Sequence, residues 1–253
     1  EELMLLNIQQ LIVQNQKWVY VEQIPALLKN EVLIFEADNL YKDGTIIPME
    51  VHSRLIELDS KKMVISIGRD VMERRKAEAE LMYMATHDLL TGLPNRNLLD
   101  DRLDMALAQS IRNKKSLVIM MMDMDKFKYV NDEFGHIVGD KLLKAAGERL
   151  TRILRKSDTV ARIGGDEFVI VLPEVETVAD ADKLANKMLK EFKKPFIIDE
   201  HKLNITTSIG IAVYPADGEN VDMLMRNADK SMYRAKQKGR DTYEFSAQYG
   251  LQL

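Results

Sequence analysis

The sequence predicts an α+β fold: a central sheet flanked by helices, preceded by a smaller antiparallel sheet and a helical linker. Three observations carry this. Strand-like apolar runs are mixed with long helical stretches through residues 97–245. Two of those runs, within 159–172, are separated only by Gly164-Gly165 and two acids, which reads as a hairpin with a tight turn. Residues 31–68 hold three further strand-like runs joined by turn-forming stretches, with no helix between them.

At the front, Leu3, Leu5, Leu6, Ile8, Leu11, Ile12 and Val13 fit one helix, 19–28 is ambiguous, and Trp18 reads as core. Residues 31–41 read as a strand. Lys42-Asp43-Gly44-Thr45 is a hairpin turn, since Asp-Gly tolerates positive φ. Residues 46–58 form a second strand with Met49 and Val51 on one face, and Pro48 suits an edge position. Residues 59–62 turn, and 63–68 form a third strand. Residues 72–86 lack Pro and Gly and read as a helix with Arg74–Glu78 and Lys76–Glu80 pairs. Its narrow stripe, Leu81, Met84 and Ala85, suits either a linker that pairs with its copy or a solvated connector. Helices then follow at 97–113, 127–133, 137–154, 178–192 and 221–238. Strands are expected at 116–123, 159–172 (the hairpin), 203–213 and 242–245.

The 253 residues suffice for one large or two modest domains. A net charge of −4 provides no general basic field, so nucleic acid is not an expected partner. There is no Cys, hence no disulfide and no thiolate zinc site, and the four His are scattered without metal-binding spacing. No apolar run approaches the roughly 20 residues that span a bilayer, and the Glu-Glu start is unlike a signal peptide. The chain is expected to be cytoplasmic, with membrane attachment of a longer parent left open.

The chemistry concentrates at the hairpin. Gly164 and Gly165 let backbone approach a ligand closely. Asp166 and Glu167 beside them suit a divalent cation bound to a nucleotide phosphate; the other reading is a soluble surface turn. Asp123 ends the buried run Ser116-Leu-Val-Ile-Met-Met-Met, and would meet Asp166 if the two strands are neighbours. Otherwise it is a strand-terminating turn residue. Lys236 and Arg240, four apart, can face one way, and are equally favourable as charges at a helix C-terminus. Arg155 and Asp158 sit where a helix ends and a strand begins.

Four motifs occur in a fixed order: Asp88-Leu-Leu-Thr-Gly-Leu-Pro-Asn-Arg96, then Asp123 with Phe127-Lys-Tyr-Val-Asn-Asp132, then Phe134-Gly-His-Ile-Val-Gly-Asp140, then Arg162-Ile-Gly-Gly-Asp-Glu-Phe168. With these, residues 86–245 resemble the GGDEF family, the diguanylate cyclases that make cyclic di-GMP from two GTP. The resemblance implies a palm-like cyclase sheet. It implies Mg²⁺ (or Mn²⁺) held by Asp123, Asp166 and the Met124 carbonyl, with Asp166 also the base and Glu167 the second acid of the tip. It places Gly164, Gly165, Phe127, Lys128, Lys236 and Arg240 at the substrate, the last two on its terminal phosphates, although Lys126 stands where a hydrophobic residue is common. It gives Asn131, His136 and Asp140 to the nucleoside; an amide and a carboxylate can read guanine's edge, which adenine lacks. It implies an allosteric product-inhibition site at Arg155 and Asp158, and a homodimer with one GTP per subunit. The front resembles the C-terminal half of a PAS sensor domain, on Lys42-Asp-Gly-Thr45 and Gly68-Arg-Asp-Val71, with an unknown sensory ligand. The expected domains are therefore 1–71 (PAS-like, incomplete), 72–86 (linker) and 87–253 (cyclase). Two rivals stand beside a sensor-regulated cyclase: a catalytically silent domain that binds GTP or cyclic di-GMP, and another nucleotidyl cyclase on the same sheet.

Overall fold

The computed structural model describes residue 10, residue 13 and residues 25–29 and 32–246. The apolar positions between Leu3 and Ile12, and Trp18, lie outside the described residues. The chain divides into two compact units, Glu1–Met82 and Tyr83–Leu253.

In the smaller unit β1 (Val32–Leu40), β2 (Ile46–Leu58) and β3 (Lys61–Asp70) form an antiparallel sheet in the order β1-β2-β3. Its first turn is built as Asp-Gly predicts: Gly44 has φ +86° and the Asp43 carboxylate accepts the Thr45 amide at 2.9 Å. The second is tighter than read. Asp59 and Ser60 both have positive φ, which closes the hairpin in two residues and releases Lys61 and Lys62 into β3. Pro48 is on the central strand, not an edge. Its carbonyl accepts from the Val71 N–H, so its nitrogen faces the β3 side, and pairing there ends at Met49–Asp70. The missing donor therefore breaks no ladder bond. After β3, α1 (Met72–Thr86) starts on the Asp70 carboxylate, which accepts the Met72 amide at 2.8 Å. Arg74 reaches Glu78 at 3.9 Å as expected, but also Glu36 and Glu50 of the sheet.

The larger unit is built on a five-stranded sheet in the order β10-β9-β4-β6-β5. Its members are β4 (Ser116–Met124), β5 (Thr159–Gly164), β6 (Glu167–Val175), β9 (Thr207–Tyr214) and β10 (Tyr243–Phe245). Only β10 runs parallel to its neighbour. The apolar run in β4 is central and covered on both faces. Val118, Met120 and Met122 pack with α4 (His136–Ile153) and α5 (Val178–Phe192) on one side. Leu117, Ile119 and Met121 pack with α2 (Arg96–Asn113) and α6 (Val221–Gln237) on the other. Burial of each such side chain contributes about 1.5–3 kcal/mol. Helix α6 lies directly on β9: a Cβ at Gly210 would stand 2.0 Å from the Ala228 carbonyl oxygen. The short α3 (Phe127–Phe134) links β4 to α4.

The single strand expected at 203–213 is two. Leu203 belongs to a small hairpin of β7 (Phe196–Ile198) and β8 (His201–Leu203), and the chain re-enters the main sheet only at Thr207. The break is made by a residue far off in the chain: Thr206 is held by Asp125, through its carbonyl and its hydroxyl. Among the described residues no helix is long and apolar enough to cross a membrane.

Candidate functional site

The site forms where β4 and β6 end side by side. Their antiparallel register sets Asp123 opposite Glu167. Gly164 pairs with Glu167, so Gly165 and Asp166 alone make the turn from β5 to β6. Gly165 has φ +51° and Gly164 φ +151°, backbone that a side chain rarely adopts, and nothing stands within 4 Å of either missing Cβ. The Met124 amide donates to the Asp166 carbonyl oxygen at 3.3 Å, tying the turn to β4.

Asp123 is buried and its Oδ2 lies 2.6 Å from the Lys236 ammonium near the end of α6. Burial raises the pKa of Asp123, with the charges of Asp166 and Asp125 adding to it, against the opposing pull of Lys236. Burial also raises that of Asp166, with Glu167 adding and Lys236 and Arg162 opposing. In both carboxyls the chief cause is withdrawal from water, which disfavours the charged form. Among the described residues no three or more His, Cys, Asp or Glu side chains are grouped to hold a metal. The donor set that the resemblance implies is smaller: Asp123, Asp166 and the Met124 carbonyl. That fits a Mg²⁺ bound through one or two carboxylates, with phosphate oxygens and water completing its shell.

The remaining expected residues fall into three groups. Phe127 is buried and Lys128 exposed at the start of α3, directly after β4 and therefore at the same end of the sheet as Asp123. The Asn131 amide lies against Gly139, where a Cβ would come within 1.9 Å of its Oδ1. Asp140 follows Gly139 in α4 and is exposed, as is His136 at the start of that helix. Arg240 follows α6 with φ +67°, and its Nε is 4.0 Å from Asp125 Oδ1. Glu167 borders a groove of about 460 Å³ lined also by Asp229, Lys230, Tyr233 and Lys236. Lys236, expected on phosphates, here rests on the expected metal ligand Asp123.

Arg155 and Asp158 are not part of this constellation. They precede β5 and lie at the opposite end of that strand from Gly164. Asp158 Oδ2 accepts the Arg155 amide at 2.9 Å, and the pair borders a cleft of about 420 Å³ with Lys183 and Lys187.

Asp88 and Arg162 lie within the sequence motifs, but their task is visible only in the fold. Arg162 donates from Nε and Nη2 to the Gly165 carbonyl at 3.0 and 2.8 Å, and from Nη1 to both Asp88 oxygens at 2.9 and 2.8 Å. Asp88 also accepts the Thr91 amide and hydroxyl. Burial alone would raise the pKa of Asp88, but Thr91 and Arg162 outweigh it and hold the carboxyl below its ordinary value. A mostly buried arginine side chain thus clamps the Gly165–Asp166 turn to the 88–91 loop. The Asp-x-x-Thr spacing and an Arg just ahead of Gly-Gly were the available signals. Asp125, two residues beyond Asp123, carries no local signal of its task.

A family model described as "Diguanylate cyclase, GGDEF domain" matches residues 85–242. The chain belongs to the GGDEF family. The bifunctional diguanylate cyclase/cyclic di-GMP phosphodiesterase MucR of Pseudomonas aeruginosa is 48% identical over 185 residues, which are 70% of this chain and 27% of that protein. The chain spans only about a quarter of the length of the first curated relatives it matches. Among solved structures, a sensory box/GGDEF family protein from Caulobacter crescentus matches at 39% identity and a TM-score of 0.59, covering 61% of this chain and 99% of that one. The coiled coil and GGDEF domain of DgcB from the same organism, solved with c-di-GMP, matches at 26% identity and a TM-score of 0.62, covering 69% and 93%. The mixed sheet with flanking helices agrees with these GGDEF structures, as the sequence led us to expect.

The raised pKa of Asp166 in this GGDEF domain has a measurable consequence. A carboxyl whose folded pKa exceeds its unfolded value of 3.8 destabilises the fold once pH rises above that window, and has no effect below it. Asp166→Asn in EDTA is therefore expected to raise Tm at pH 7. The gain should shrink as pH falls into the ordinary carboxylate range. A variant less stable than wild type at pH 7 would contradict this electrostatic account.

Proposed function

We propose that the larger unit is a diguanylate cyclase, joining two GTP into cyclic di-GMP with release of two pyrophosphates. The observation that carries this reading is the convergence of Asp123 and Asp166 at the ends of β4 and β6, with Lys236 against Asp123. Each condensation forms a bond from a ribose 3′-oxygen to an α-phosphorus, breaks the bond to the pyrophosphate oxygen and releases a proton. Asp166 takes that proton, the role that the resemblance implies for it at the tip of the hairpin. Mg²⁺ or Mn²⁺ held by Asp123, Asp166 and the Met124 carbonyl would supply charge neutralisation at the phosphates. Lys236 and Arg240 hold the terminal phosphates, Lys236 leaving Asp123 to do so. Phe127 and Lys128 flank the phosphates at the start of α3. Asn131 and Asp140, with His136 beside them, select guanine. Gly164 and Gly165 leave the turn open to the nucleotide, and Glu167 lines the approach. Each domain holds one GTP, so the active form is a homodimer. The smaller unit is read as a partial PAS-like sensor with an unassigned ligand, and α1 as the linker that conveys its state.

The direct test is incubation with GTP and Mg²⁺ followed by identification of the product. Cyclic di-GMP is expected, with the rate lowered at least about a hundredfold in Asp123→Asn. GTP binding without turnover in the wild type would instead select the silent regulatory domain.

Arg155 and Asp158 we read as the product-inhibition site. Their separation from the carboxylate pair means that product bound there acts by favouring an arrangement in which the half-sites stay apart. Loss of a charge-assisted bond in Arg155→Ala is worth about 1.5–3 kcal/mol, so affinity for added cyclic di-GMP should fall at least about tenfold with little change in initial rate. Equal product affinity in calorimetry would leave Arg155 an ordinary helix-end arginine.

A further inference from the structure

One buried carboxylate at this end of the sheet has no part in the reaction just described. Asp125 is 4% exposed, and its oxygens are filled by protein donors. Oδ1 accepts the Ser208 hydroxyl at 2.7 Å. Oδ2 accepts the Thr206 hydroxyl at 2.7 Å and the Asp241 amide at 3.1 Å. Its own amide donates to the Thr206 carbonyl at 2.9 Å. A carboxylate so supplied is a poor metal ligand, because binding a cation would break bonds already made. Its partners instead come from two separate segments, the entry to β9 and the turn after α6.

That turn needs an anchor. Arg240 and Asp241 are consecutive non-glycine residues with φ of +67° and +51°, a sparsely populated conformation that persists only where surroundings impose it. The Asp241 amide is held by Asp125, and its carboxylate lies 3.0 Å from the Lys193 ammonium. The Arg240 side chain, half exposed, leaves this turn with Nε 4.0 Å from Asp125 Oδ1.

We propose that Asp125 is a positioning residue for nucleotide binding: it holds the Arg240–Asp241 turn in its left-handed conformation and thereby aims Arg240 at the terminal phosphates of the substrate. This rests on the phosphate-holding role proposed above for Arg240. Asp125 acts on affinity for the β- and γ-phosphates, and leaves recognition of the nucleoside untouched.

The test is a double-variant cycle read by calorimetry, with Mg²⁺ and two probes, a non-hydrolysable GTP analogue and GMP. Asp125→Asn keeps an oxygen for Ser208 but sets an amino group against the Asp241 N–H. Arg240→Ala and Asp125→Asn should each weaken the analogue about tenfold and leave GMP within about twofold. The double variant should be no weaker than the weaker single one, since both remove the same contact. Equal losses for GMP and the analogue would make Asp125 a merely structural residue, and additive losses would show that it acts independently of Arg240; either overturns the proposal. Unchanged analogue binding in Arg240→Ala would instead overturn the phosphate role of Arg240 itself, and the inference with it. Should Asp125→Asn fail to fold, Thr206→Val removes one hydroxyl donor, and a smaller loss confined to the analogue is expected.

Discussion

The pairing of β4 with β6 is the constraint on which the rest of the site depends. It sets Asp123 opposite Glu167 and puts the Gly165–Asp166 turn at the end of β4. A slip of one residue would turn Asp123 to the other face of the sheet and separate the carboxylates. The register is protected because side chains of β4 are buried alternately in two apolar layers, and a slip would exchange every one of them. The apolar centre of the strand thus stabilises its acidic end. That end opposes folding, since burial raises the pKa of both carboxyls.

Charge compensation is then assigned to particular side chains. Lys236 reaches Asp123 because Gly210 lets α6 lie on β9 at backbone contact. Arg162 satisfies the Gly165 carbonyl and is itself neutralised by Asp88, so the turn is fixed by a pair only 12% and 21% exposed. Such a pair leaves large penalties if one partner is removed, which makes it a determinant of geometry more than of net stability. It also joins the turn to the 88–91 loop, which follows α1 directly in the chain.

Much of this was legible in the sequence because local signals and tertiary demands agree. The Gly-Gly between β-prone runs specified the hairpin, and the seven apolar or neutral residues leading into Asp123 specified a buried strand. Asp43-Gly44 specified its turn. The misreadings fall where a distant partner overrides local pattern. The β-branched run at 203–213 is interrupted because Asp125 claims Thr206. Pro48 sits on a central strand because β3 pairing stops one residue short of it. The tasks of Arg162, Asp88 and Asp125 depend on contacts spanning |i−j| of 74 to 116, which no periodicity encodes. The resemblance placed Lys236 on phosphates; its present partner, Asp123, follows from α6 packing across β9.

In the function proposed above, the β4–β6 register creates a two-carboxylate cation site completed by nucleotide phosphates. Its most direct measurement is a Mn²⁺ titration followed by electron paramagnetic resonance, with and without a non-hydrolysable GTP analogue. The account predicts weak binding alone, tighter binding with the analogue, and a loss of at least about tenfold in affinity in Asp123→Asn and Asp166→Asn alike. Mn²⁺ affinity unchanged in either variant, or independent of the analogue, would contradict it.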